Sequence, residues 1–131
     1  MLVFISDIYE LLCLIGILIK LPYPESIFLL IKEPIDEVVM HYAHNAKIAG
    51  LDGVVCSPLE ADKVHNKCGK DFVTVTPGIR FADGDIGDQV RVMTPEKAKE
   101  AGSDYIVVGR PITAAADPVA AYKRCIAEFV G

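Results

Sequence analysis

A basic face is what this sequence most plainly lacks. Its 131 residues carry 13 Lys and Arg against 18 Asp and Glu, a net charge of −5. Nucleic-acid binders usually show the opposite balance, so no nucleic acid is expected as a partner. An anion can still be held where local donors overcome the overall field. Metal-ligand spacing is missing too. The four cysteines, Cys13, Cys56, Cys68 and Cys125, form no C-x-x-C pair and no zinc pattern. Cys56 and Cys125 lie in apolar patterns, so they read as buried free thiols, which fits a reducing, cytoplasmic setting. A membrane-length run is also lacking. Residues 11–19 (LLCLIGILI) fall far short of the ~20 residues that a span requires. Asp7 and Glu10 precede that run, where a signal peptide would carry positive charge. The run reads as a core strand, and no membrane is expected as a partner. There is no low-complexity segment and no strict repeat.

What is present is a core-forming chain, 52% hydrophobic, long enough for one modest domain. From residue 34 onward the pattern is regular. Glu33-Pro34, Ser57-Pro58, Thr94-Pro95 and Asp117-Pro118 each look like a helix start with proline at the first helical position. Ile35, Val38, Val39, Tyr42, Ala43, Ala46 and Ala49 recur at a helical period, and Gly50 closes that helix. Ser57-Pro58-Leu59-Glu60 matches a capping box. A helix from Pro95 is stopped by Gly102. The last helix, from Pro118 to Phe129, is expected to turn Val119, Tyr122, Ile126 and Phe129 toward the core. Between the helices lie short apolar runs at 53–56, 72–76 and 105–108, expected to be apolar on both faces as parallel strands usually are. Strands alternating with amphipathic helices indicate an α/β chain with a parallel sheet.

One stretch breaks the rhythm. TVTPGIRFADGDIGDQVR (74–91) begins as a strand, then runs on without a helix signal. A long irregular loop in a small domain usually serves function, and a phosphorylated ligand is the expected occupant. In α/β folds ligands sit at the C-terminal ends of strands. Those ends supply Ser57, then Pro77, Gly78, Ile79 and Arg80, then Gly109 and Arg110. Gly109 would let backbone approach a phosphate closely, and Arg110 would grip it with a bidentate fork.

The blocks GLDGVVCS (50–57), TVTPGIR (74–80), GDQVRVMTPEKAKEAGSDYIVVGRPI (87–112) and AADPVAAY (115–122) together resemble the C-terminal half of bacterial orotidine 5′-monophosphate decarboxylases. The resemblance runs from about residue 30 to the last residue. It implies a partial (β/α)8 TIM barrel, roughly the last four strand–helix units, over residues 31–131. Residues 1–30 are an atypical apolar segment. The family is a cofactor-free lyase that turns orotidine 5′-monophosphate into uridine 5′-monophosphate, and it works as a homodimer. Carried over, Ser57 would bond the pyrimidine, and Pro77, Gly78 and Ile79 would line the base pocket. Arg80 would begin a lid, Gln89 would reach from the lid to the phosphate, and Gly109 and Arg110 would hold the phosphate.

The departure matters as much. The family's Asp-x-Lys-x-x-Asp array, which does the chemistry, does not occur in these 131 residues. A whole barrel needs about 200 residues or more. The expectation is therefore a truncated or frame-disrupted product with no catalytic residues of its own, inactive alone. It would either pair with a complementary half-barrel or persist as a non-catalytic phosphate binder that self-associates. Another phosphate-binding barrel enzyme, such as a sugar-phosphate lyase, fits the ordered blocks less well. Asp83, Asp85 and Asp88 lack the rest of a calcium loop. His41 and His44 lack a third ligand, and His65 and Lys67 read as a solvated helix face. No metal is expected.

Overall fold

The computed structural model describes residues 32–84 and 92–131. Helix α1 (Ile35–Ile48) begins behind Pro34, with Asp36 and Glu37 in its first turn and Lys47 in its last. Those charges complement the helix dipole. Gly50, just past its end, takes φ 87°, a conformation that favours glycine. Strand β1 (Gly53–Val55) leads into a 3₁₀ turn (Pro58–Glu60) and α2 (Ala61–Cys68). Next come β2 (Val73–Thr76), α3 (Pro95–Glu100), β3 (Tyr105–Ile106), α4 (Arg110–Thr113) and α5 (Pro118–Phe129). The three strands form one sheet in the order β1-β2-β3. Both pairings are parallel, with Val54 opposite Thr74 and Val75 opposite Tyr105. Ala43, Val54, Cys56, Val64, Cys68 and Phe72 form a buried cluster between α1, α2 and the sheet.

The described residues thus hold three parallel strands, each followed by helix. A fourth strand would have to precede α1; residues 1–31, including the run at 11–19 read as a core strand, lie outside the described residues. Among the described residues no helix is long and apolar enough to cross a membrane.

Three expectations need correction. First, β2 is not apolar on both faces. It buries Thr74 and Thr76 completely, while its valines are half-buried. Each threonine is satisfied. Thr76 Oγ1 donates to Ser103 Oγ at 3.0 Å, and Thr74 Oγ1 lies 2.9 Å from Asp104 Oδ2.

Second, His65 is not on a solvated face. Its side chain is only 14% exposed, and Nε2 stands 2.9 Å from Asp104 Oδ2. Asp104 also accepts the Thr74 N–H at 2.8 Å. Partial burial pushes the Asp104 carboxyl up, but the two Thr74 bonds and His65 together hold it below the usual range. A depressed carboxyl stabilises the fold above the unfolded value of about 3.9, and that contribution is lost as pH falls through the lower folded value. Asp104→Ala is therefore expected to cost about 1 kcal/mol near neutrality, the part-exposed carboxylate being screened by solvent. Urea titrations of both chains should show that difference shrinking in acid; a difference independent of pH would count against the assignment.

Third, α5 does not turn its expected face inward. Val119, Tyr122 and Ile126 are 64%, 54% and 42% exposed. Helical period marks an apolar stripe but does not say which neighbour covers it. Here α5 packs against α3 and α4, and Cys125 is its buried residue.

Cys56, Cys68 and Cys125 are buried free thiols. Burial, then the nearby Glu60 and Asp104 carboxylates, push the Cys56 thiol up to about 12. Burial pushes Cys68 and Cys125 up as well. The thiolate is the reactive form. Mass-resolved labelling with iodoacetamide at pH 8 should leave these three unmodified until denaturant is added. Rapid native labelling of Cys56 would contradict the packing.

Candidate anion-binding site

Two segments that follow strands meet at one cleft. The chain leaving β2 contributes Arg80, Phe81 and Gly84, and the chain leaving β3 contributes Arg110, Pro111, Ala114 and Ala115. The cleft encloses about 340 Å³. Its two cations stand out in a chain of net charge −5. Two arginines lining one cleft beside an apolar wall are the residue types that hold an anion.

The long loop after β2 is closed at its base. Gly78, with φ 85°, lets the backbone turn back after Pro77. Ile79 then bridges Met93 in parallel fashion. Arg80 N–H donates to the Met93 carbonyl at 3.0 Å, and Met93 N–H donates to Gly78 O at 3.2 Å. Both ends of the loop are thereby held together beside the sheet. Arg80 is 9% exposed, and its Nη1 donates to the Ile79 carbonyl at 2.8 Å. That bond turns part of the guanidinium back on its own backbone.

The site residues expected from sequence divide into groups. Arg80 and Arg110 are brought together. Gly109 is exposed and immediately precedes α4, with nothing among the described residues within 4 Å of where a Cβ would stand. Pro77 is exposed, Gly78 is half-buried and Ile79 is fully buried. These three and Ser57 do not line the cleft. Ser57 is buried as a helix cap: its Oγ accepts the Leu59 N–H at 3.3 Å, and Glu60 accepts the Ser57 N–H at 2.8 Å. The capping box read from the sequence is therefore formed. Gln89 lies outside the described residues, as do Asp85 and Asp88. Asp83 pairs with Arg124 at 2.9 Å. Among the described residues, no three His, Cys, Asp or Glu side chains cluster as metal ligands do.

Sequence reasoning missed Phe81 and the whole of α4. The signal was there, since Pro111 falls in the first turn of a short helix, as proline often does. From the sequence alone Gly109-Arg110 reads as a strand end.

Parallel strand–helix units with a two-arginine cleft beyond the strand ends define an α/β protein with a candidate anion site. The sequence model of the orotidine 5′-phosphate decarboxylase / HUMPS family matches residues 26–125. This chain belongs to that family. A curated relative named orotidine 5′-phosphate decarboxylase, from Geobacillus thermodenitrificans, is 56% identical over 101 residues, 77% of this chain and 42% of the relative. One from Bacillus cereus is 55% identical over the same length. Among solved structures, the Lactobacillus acidophilus orotidine 5′-phosphate decarboxylase matches with TM-score 0.65 and 50% identity, covering 77% of this chain and 40% of that one. The Pyrococcus horikoshii orotidine 5′-phosphate decarboxylase matches with TM-score 0.58 and 25% identity, over 76% of this chain and 45% of that one. The chain thus spans about two fifths of the length of the relatives it matches, 42% for the curated ones.

Proposed function

We propose that this chain carries the phosphate-gripping half of an orotidine 5′-monophosphate decarboxylase site, on the last four strand–helix units of a (β/α)8 barrel. The observation that carries this reading is the meeting of Arg80 and Arg110 at one cleft, within the family just described. Orotidine 5′-monophosphate and uridine 5′-monophosphate are the ligands. Arg110 and the Gly109 backbone take the phosphate, with Arg80 beside them. Pro77, Gly78 and Ile79 shape the base side. The Ser57 cap uses one acceptor lone pair of the hydroxyl; its O–H proton can still donate to a pyrimidine carbonyl.

The chemistry itself needs more than these residues. Removing CO2 requires carboxylates that crowd the substrate carboxylate and a lysine that protonates the carbon left behind. The Asp-x-Lys-x-x-Asp array that the family uses for this does not occur in the sequence. Binding energy at the phosphate accelerates a reaction only when it is coupled to groups that act at the reacting carbon. The purified chain is therefore expected to show no turnover of orotidine 5′-monophosphate, followed by loss of its absorbance. Decarboxylation at a rate typical of enzymes would refute this reading of the isolated chain.

A second reading concerns assembly, and the exposed stripe of α5 favours it. Val119, Tyr122, Ile126 and Val130 follow one another at helical spacing, and such a stripe usually marks an interaction surface. β3 is an outer strand of the described sheet, and an open edge invites pairing. We read the chain as self-associating in the cytoplasm, as a homodimer or with a complementary half-barrel. Solution scattering should give a mass above that of the monomer. A monodisperse monomer at high concentration would count against it.

A further inference from the structure

We propose that Arg124 of α5 is a positioning residue for the anion cleft, holding Phe81 as its apolar wall without touching the ligand. The proposal rests on the cleft's reading as a nucleotide-phosphate site. The guanidinium carbon of Arg124 lies 4.2 Å from the centroid of the Phe81 ring. Its Nη1 reaches Asp83 Oδ1 at 2.9 Å, and its Nε donates to Glu128 Oε1 at 2.7 Å. Phe81 lines the cleft, whereas Arg124 does not. The guanidinium therefore stacks on Phe81 while its edge grips the next turn of the same segment. That turn is itself closed, since Gly84 N–H donates to the Phe81 carbonyl at 3.0 Å.

The placement has a consequence for the site. Arg80 and Phe81 follow β2, whereas Arg110, Pro111 and the alanines follow β3. Among the described residues no strand pairing reaches Phe81. The Arg124 clasp ties that segment to α5, and α5 packs against α4, which begins at Arg110. The two halves of the cleft are thereby fixed relative to each other. Asp83 and Glu128 offset the Arg124 charge, which suits a structural tie better than an anion ligand. Lysine would keep the charge but lose the planar stack and the fork.

The test compares the native chain with Arg124→Ala, Arg124→Lys and the double change Asp83→Asn with Arg124→Ala. Uridine 5′-monophosphate and inorganic phosphate are titrated by calorimetry. Amide exchange is followed at residues 81–84. Arg124→Ala is expected to weaken uridine 5′-monophosphate binding about fivefold, the size of an exposed stack plus an ion pair. Exchange at 81–84 should rise, with Tm little changed, and Arg124→Lys should fall between. Unchanged exchange at 81–84, or faster exchange with unchanged affinity, overturns the proposal. So does full recovery in the double change, which would show that only the bare Asp83 charge mattered. Failure of the native chain to bind uridine 5′-monophosphate removes the nucleotide reading. The clasp then stands if inorganic phosphate binds and weakens with Arg124→Ala, and falls if phosphate does not bind.

Discussion

Replacing Arg110 with alanine is expected to weaken uridine 5′-monophosphate binding about a hundredfold, while uridine binding stays as it was. The magnitude follows from the contact type. A hydrogen bond to a charged group contributes about 1.5–3 kcal/mol, and a bidentate fork makes two. Solvent at an exposed rim lowers the sum, and about 2.7 kcal/mol corresponds to a hundredfold. Arg110 is the exposed guanidinium of the pair, whereas Arg80 is buried and already bonded to the Ile79 carbonyl. Arg110, at the start of α4, is therefore the more solvent-accessible of the two. Arg80→Ala is expected to lower affinity less and stability more. Arg110→Lys should recover part of the binding as a point charge without the fork. Calorimetry at low and moderate salt, on variants with matched Tm, measures all of this. Equal affinity for uridine 5′-monophosphate and uridine in the native chain would remove the phosphate role of the cleft.

The legible part of this protein was the part that local chemistry writes down. The capping box at Ser57 and Glu60, the proline-led starts at Pro95 and Pro118, and the turns at Gly50 and Gly102 all stand where the sequence puts them, while Pro34 is the N-cap, one residue ahead of its expected first helical position. Each depends on residues within one turn of itself. What was not legible depends on distant partners. His65 and Asp104 are far apart in sequence, and only the packing of α2 beside the start of β3 makes them neighbours. Nothing in the α2 pattern marks His65 for that bond. The α5 stripe shows the reverse: its helical period marks an apolar face, yet Val119, Tyr122 and Ile126 stay exposed. At the site, Arg80 and Arg110 were both named from sequence, but their sharing of one cleft with Phe81 was not. Pairwise geometry across two strand–helix loops is not encoded in either loop alone.

Gly53→Ala is expected to cost about 3 kcal/mol, the upper end of what overpacking usually does. The residue belongs to the block GLDGVVCS and pairs with Val73 across the sheet. A Cβ built on Gly53 would stand 2.8 Å from Val73 Cβ and 2.9 Å from its carbonyl carbon, with the carbonyl oxygen closer still. Two of those three atoms are backbone, so no rotamer change relieves the overlap. β1 would have to move away from β2, against the bond from Val73 N–H to Asp52 O at 2.9 Å. φ plays no part, because Gly53 does not take a left-handed conformation. The requirement is space between strands that normally lie about 4.8 Å apart. Val54→Ala is the matched control: it creates a small cavity, and its expected cost of about 2 kcal/mol leaves strand spacing alone. Urea denaturation separates the two. Ser57 stands at the end of the displaced strand, so Gly53→Ala should also disturb the cap, whereas Val54→Ala should not. A loss below about 1 kcal/mol for Gly53→Ala would show that β1 shifts freely, and that the close approach to Val73 is not what requires glycine there.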